Sequence, residues 1–97
     1  GAGDGSYFLK SQSSGKYLDV SGPSTADGAN VHQWSYTGAG NQRWLLQNAG
    51  DGYFFLKAQF SGKYLDVSGV STAVGANVHQ WSYTGATNQQ WKLEAAN

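Results

Sequence analysis

The sequence predicts an all-β domain made of one unit written twice, and three observations predict it. The stretch NVHQWSYTGAGNQRW at 30–44 returns as NVHQWSYTGATNQQW at 77–91, and aligning 4–46 with 51–93 gives 43 pairs of which nine differ. A self-similar period of a few tens of residues is the mark of a repeat architecture. Gly makes up 14 of 97 residues, Pro occurs once and 14% of residues are aromatic, a composition of many tight turns joining short strands. No segment sustains a 3.6-residue apolar period for three turns, so nothing supports a helix.

Within one unit the apolar runs predict four short strands, at about 7–10, 17–20, 31–34 and 42–46, with counterparts 47 residues later. SQSSG after the first strand and SYTGAGN after the third are rich in Ser, Gly and Asn, which suit tight reversals. The longer SGPSTADGAN separates the second from the third. Strand alternation places Leu18 and Val20 on the core face and Asp19 with Tyr17 on the other. The same rule lets Asp19, His32 and Trp34 share one outward surface. The repeat divides the chain into units 4–50 and 51–97, joined through 46–50.

Composition excludes several classes. Charged residues are 12% of the chain, with six basic against six acidic, so there is no electrostatic footprint for nucleic acid or anionic lipid. Without cysteine there is neither a disulfide framework nor a thiolate metal site. Each unit offers a single His and few carboxylates, which makes a metal site or any other cofactor an unexpected feature. No apolar run approaches a membrane span, and GAGDGSYF lacks the charged and apolar regions of a signal peptide. A lone His among serines is no catalytic triad.

Chemistry concentrates at the repeated stretch. An indole, Trp34 or Trp81, is followed seven residues on by an amide pair, Asn41 and Gln42 or Asn88 and Gln89, and then by a second Trp. A flat apolar ring beside hydrogen-bonding side chains suits a pyranose, which has an apolar C–H face and a rim of hydroxyls. Asp is disfavoured within a strand, so Asp19 and Asp66 ask for a reason to be there. A Trp in a small β domain is ordinarily core, but each unit has another Trp to fill that role.

With SGKYLDVSG, NVHQWSYTG and NQRW or NQQW in the same order in both units, the sequence resembles the ricin-type, or QxW, β-trefoil lectin family, which includes carbohydrate-binding modules of glycosidases. The resemblance implies a β-trefoil in which each unit gives four strands and three units close around a pseudo-threefold axis. It implies that Asp19 and Asp66 accept hydrogen bonds from sugar hydroxyls, that Trp34 and Trp81 stack on the ring, and that Asn41 and Asn88 bond a hydroxyl. It further implies that Gln42 and Gln89 steady the Asp, and that Trp44 and Trp91 belong to the core. Many members carry a disulfide where this chain has Tyr17 with Tyr36 and Tyr64 with Tyr83, an aromatic pair in place of the cross-link. His32 and His79 stand where the family often has Gln, and are read as rim hydrogen-bonding residues.

The expected function is a lectin module for galactose-type sugars or a plant polysaccharide such as xylan, with no catalytic residues. The rival is a non-catalytic assembly module, designed or truncated, with weak or no sugar binding. A glycosidase needs two carboxyls about 5–9.5 Å apart across one bond, and equivalent Asp residues in separate lobes do not meet that need. The resemblance is compatible with secretion and leaves localisation open. Three units per closed fold and two per chain first match at three chains, so a homotrimer is expected, with the first units forming one trefoil and the second units another; the alternatives are two intact chains each completed by half of a third, and a chain cut from a three-unit parent.

Overall fold

The structure, a computed structural model, describes residues 5–95. Eight strands follow in order: β1 (Ser6–Tyr7), β2 (Tyr17–Val20), β3 (Val31–Trp34), β4 (Trp44–Gly50), β5 (Tyr53–Ala58), β6 (Tyr64–Val67), β7 (Val78–Trp81) and β8 (Trp91–Lys92). There is no α-helix among the described residues; 3-10 turns lie at Gly40–Gln42, Ser68–Val70 and Thr87–Gln89. All pairing is antiparallel: β1, β4, β5, β6 and β7 form one path with β8 added to β5, while β2 and β3 make a separate hairpin.

The second and third strands of each unit fall where they are expected, and so does the first strand of the second unit, contained in β5; the first strand of the first unit and the fourth strand of each unit are displaced. The strand expected at 7–10 is only Ser6–Tyr7 plus an isolated bridge between Lys10 and Tyr17. The strand expected at 42–46 starts at Trp44, because Gly40–Gln42 winds into a 3-10 turn, and it continues to Gly50. Residues 46–50 are therefore no loose joint. They run antiparallel to β5 from Leu46 opposite Leu56 to Gly50 opposite Tyr53, around a turn at Asp51 (φ 55°) and Gly52 (φ 82°). Two successive left-handed residues match the twist of a two-residue hairpin, which explains the Asp-Gly pair.

One core serves both units. Val20 and Trp44 from the first pack with Leu56, Ala58 and Leu65 from the second, and partly buried Leu9, Leu18, Val31, Leu46, Phe60, Val78 and Trp91 surround them. Trp44 is fully buried, with its indole N–H donating to the Leu18 carbonyl at 3.2 Å, and Trp91 repeats that bond to Leu65 at 3.1 Å. At the positions where the resemblance implies a cross-link, Tyr17 and Tyr36 meet edge to face at 5.4 Å with Phe8 completing the trio; Tyr64, Tyr83 and Phe55 do the same. Such ring pairs contribute about 0.5–1.5 kcal/mol beyond their burial.

The units are also stitched side by side. Gln80 is fully buried and its amide donates to the carbonyls of Ser24 and Ala26 in the long loop of the first unit. The Asp27 carboxylate in that loop accepts from the backbone N–H and the hydroxyl of Ser82, both at 2.8 Å. Gly40 lies so close to Phe60 that a Cβ there would sit 2.9 Å from the Phe60 Cβ.

Candidate functional site

Each β2–β3 type hairpin sets its site by register. Asp19 pairs with His32 and Tyr17 with Trp34 across β2 and β3; Asp66 pairs with His79 and Tyr64 with Trp81 across β6 and β7. Directly opposed side chains on one face of a sheet touch, so the Asp, the His and the Trp of each unit converge. The 3-10 turn ahead of the QxW Trp then swings the amide pair in from the opposite side.

The Asp is not an outward surface residue. Asp19 and Asp66 are each 4% exposed, lying at the floor of a cleft. A buried carboxylate is tolerable only when its oxygens have partners, and here they have three. Asp19 accepts from His32 Nε2 at 2.8 Å on Oδ1, and from Gln42 at 2.9 Å and Asn41 at 3.2 Å on Oδ2. Asp66 repeats the set with His79 at 2.8 Å, Gln89 at 2.9 Å and Asn88 at 3.1 Å.

The amides divide the work. Gln42 and Gln89 are fully buried; each bridges the Asp to the Ser35 or Ser82 carbonyl and accepts the N–H of Thr37 or Thr84. They hold the carboxylate and cannot reach a ligand. Asn41 and Asn88 donate also to the Val20 and Val67 carbonyls, at 3.1 Å each, which uses both of their amide protons. That leaves the carbonyl oxygen of each Asn as the available group. In the second unit this atom, Asn88 Oδ1, is buried and has no hydrogen-bond partner. A buried acceptor without a donor costs about 1–3 kcal/mol, and a donor brought by a ligand removes that cost.

His32 and His79 line the two clefts. Each bonds the Asp and stacks on the neighbouring indole, at 5.3 Å and 19° for Trp34 and 5.3 Å and 23° for Trp81. The indoles themselves stay open, Trp34 at 54% and Trp81 at 40% exposure. The result is a cleft of about 450 Å³ in the first unit and about 410 Å³ in the second. Its floor offers acceptors and its wall is an aromatic face. Among the described residues no group of three or more His or acidic side chains is placed to hold a metal.

Sequence reasoning missed part of the wall. Ser21, Gly22, Pro23, Thr37 and Ala39 line the first cleft, and Ser68, Gly69, Val70, Thr84 and Ala86 line the second. The missed residues precede and follow the strands, and only their identity in the two units could have flagged them. Position 23 against 70 is the exception: Pro there becomes Val with φ 55°, a left-handed conformation.

An antiparallel two-unit sheet fold with one acceptor-floored, indole-walled cleft per unit defines a β-trefoil of the lectin class. Consistent with this, residues 1–81 and 40–97 match the family described as ricin-type beta-trefoil lectin domain-like. The chain belongs to that family. It is similar to the designed threefold-symmetric protein ThreeFoil, at 56% identity and a TM-score of 0.94, over 96% of this chain and 66% of that one. It is also similar to the exo-beta-1,3-galactanase 1,3Gal43A of Clostridium thermocellum, at 39% identity and a TM-score of 0.90, over 93% of this chain and 20% of the enzyme. The alpha subunit of clotting factor G from Tachypleus tridentatus is 44% identical over 45 residues, 46% of this chain and 7% of that protein. This chain thus spans about two thirds of the designed trefoil and a small part of the other two.

Proposed function

We propose that the chain is a non-catalytic lectin module that binds a sugar in each of its two clefts. The observation that carries this reading is the carboxylate on the floor of each cleft, Asp19 or Asp66, held by three donors beside the open face of Trp34 or Trp81. Two acceptors at the floor call for two hydroxyl donors, and an indole calls for an apolar ring face; a pyranose supplies both. Galactose-type sugars are the first choice, supported by the similarity to a segment of a galactan-cleaving enzyme, with xylan-like chains second. Each cleft is lined by a single carboxylate, whereas glycoside hydrolysis ordinarily uses two across one bond, which supports the non-catalytic assignment.

Affinity at one cleft is weak. Charge-assisted hydrogen bonds of about 1.5–3 kcal/mol and stacking at about 25 cal/mol/Å² are largely offset by association costs, leaving roughly millimolar binding, about 4 kcal/mol. Function then comes from multivalency. Three chains supply the units of two complete trefoils, and several weak clefts on one particle gain ~10²-fold or more on a glycan surface.

A glycan array followed by calorimetry tests the reading. Trp34→Ala with Trp81→Ala is the decisive variant, because both rings are exposed and the buried polar cluster is left intact. Its binding is expected to vanish. Parent-like binding by that variant, or silence of the parent against all common galactosides and xylans, would favour the assembly module instead.

A further inference from the structure

The nine differences between the copies are not scattered. Three of them meet at the junction between the units. Gly40, which is Thr87 in the second copy, receives Phe60, which is Ser13 in the first. Asp27, which is Val74 in the second copy, receives Ser82. The leading side of the second unit is thus cut to fit the trailing side of the first.

Among the described residues, the same two sides lie open at the other ends of the body. On the first unit, Gln33 is exposed and keeps the bond from Ser14 that Gln80 receives from Ser61, while Gln80 is fully buried under the neighbouring loop. On the second unit, the loop that corresponds to 24–29 is bare and Val74 is fully exposed. Thr87 faces a place that Phe60 could not occupy, because even the bare Cβ position at Gly40 lies 2.9 Å from the Phe60 Cβ. A unit with Ser13 there fits without that clash.

We propose that these edges dock a second copy of this chain, the second unit of one copy onto the first unit of the next, with Thr87 against Ser13 and the 71–76 loop over Gln33. The junction inside the chain shows the geometry that such docking repeats. A trefoil closes after three units, so the docked copy releases its own second unit, which enters a third chain. Three chains then close with two of them intact, each keeping its Gly40–Phe60 fit, and Thr87 meets Phe60 at one junction alone, where the released second unit follows an intact one. A symmetric exchange of all units is disfavoured, since it sets Thr87 against Phe60 at three junctions instead of one and breaks every Gly40–Phe60 fit.

Docking also completes a cleft. In the second unit the Trp81 ring is backed by Gly28 of the first, whose Cβ position lies 3.6 Å from the indole. Among the described residues no glycine backs Trp34 in this way, and it is the more exposed ring. The docked copy brings Gly75 to the matching place behind Trp34. This consequence rests on the sugar reading, whereas the docking does not.

Light scattering coupled to gel filtration, without sugar and over a dilution series, decides it. The parent is expected to exceed a single-chain mass as concentration rises. Ser13→Phe, at an exposed turn, is expected to need at least about tenfold more protein for the same mass, the usual penalty of overpacking. Adding Thr87→Gly is expected to restore association by recreating the Gly–Phe fit. Val74→Asp, which offers Ser35 the carboxylate that Asp27 offers Ser82, is expected to tighten it. A parent of single-chain mass at every concentration, an unaffected Ser13→Phe, or no rescue by Thr87→Gly overturns the proposal. So does tighter association of Ser13→Phe, which a symmetric exchange predicts by seating the introduced ring on Gly40 of a neighbouring copy.

Discussion

Val70 holds φ at 55°, in a region where a β-branched side chain is crowded by its own backbone at a cost of about 1–2 kcal/mol. Pro23 at the equivalent place cannot adopt that conformation, so the two clefts differ in wall shape although their floors are identical. Val70→Gly removes the crowding but frees the unfolded chain. The net gain is expected to be about 0.5–1 kcal/mol in urea unfolding, with altered sugar preference at the second cleft only. A loss of stability would show that Val70 is held by packing rather than tolerated. Asp66→Asn behaves oppositely. An amide in place of the carboxylate turns a donor toward the donors His79, Asn88 or Gln89. It is expected to lose sugar at that cleft and about 1–3 kcal/mol of stability together, which circular dichroism melts and calorimetry on one sample will separate.

At the scale of the elements, hairpins with identical strands end in different environments. The side chain of His79 is 12% exposed and that of His32 32%, because the loop of the first unit covers β7 and no described segment covers β3. The sequence, read alone, makes the two clefts equal. Dilute protein is expected to bind sugar several-fold more tightly at Trp81 than at Trp34, the cost of ordering being met beforehand at the covered cleft. Calorimetry of Trp34→Ala and Trp81→Ala separately checks this, and equal losses would refute it. Asp27→Val, which deletes the bonds to Ser82 at an exposed edge, is expected to cost about 1 kcal/mol and to erase most of that difference.

These outcomes mark what a sequence can and cannot show here. Alternation brings Asp19, His32 and Trp34 together, the repeated stretch adds Asn41 and Gln42, and resemblance supplies their roles. The burial of the Asp was not legible, since alternation reports a face and not the depth of the cleft that the 3-10 turn creates over it. Nor was the bond from His to Asp, which depends on register across 13 residues of loop and strand. Gln33 and Gln80 sit in the same words of sequence, yet one is exposed and the other fully buried. Neighbourhood, not residue type, makes that difference. The substitutions at 13, 27 and 40 look peripheral along the chain because their meaning lies in pairs formed with the other unit.

For the whole molecule, the exposed edges couple stability to concentration. Whatever binds the folded body and not the unfolded chain adds RT ln(1 + [L]/Kd), about 2.7 kcal/mol when concentration reaches a hundredfold over Kd. In a domain of 97 residues each kcal/mol moves the melting midpoint by roughly 4–8 °C. The parent is therefore expected to melt ~10 °C or more higher at concentrations well above its self-association Kd than well below it. Ser13→Phe, whose turn is exposed in the single chain, is expected to match the parent when dilute and to gain less on concentration. Since sugar is absent from the melt, the slope reports the edges and nothing of the clefts. A midpoint independent of concentration for the parent would mean that a two-unit body is self-sufficient, and that its bare Val74 loop and Gln33 edge are tolerated as they stand.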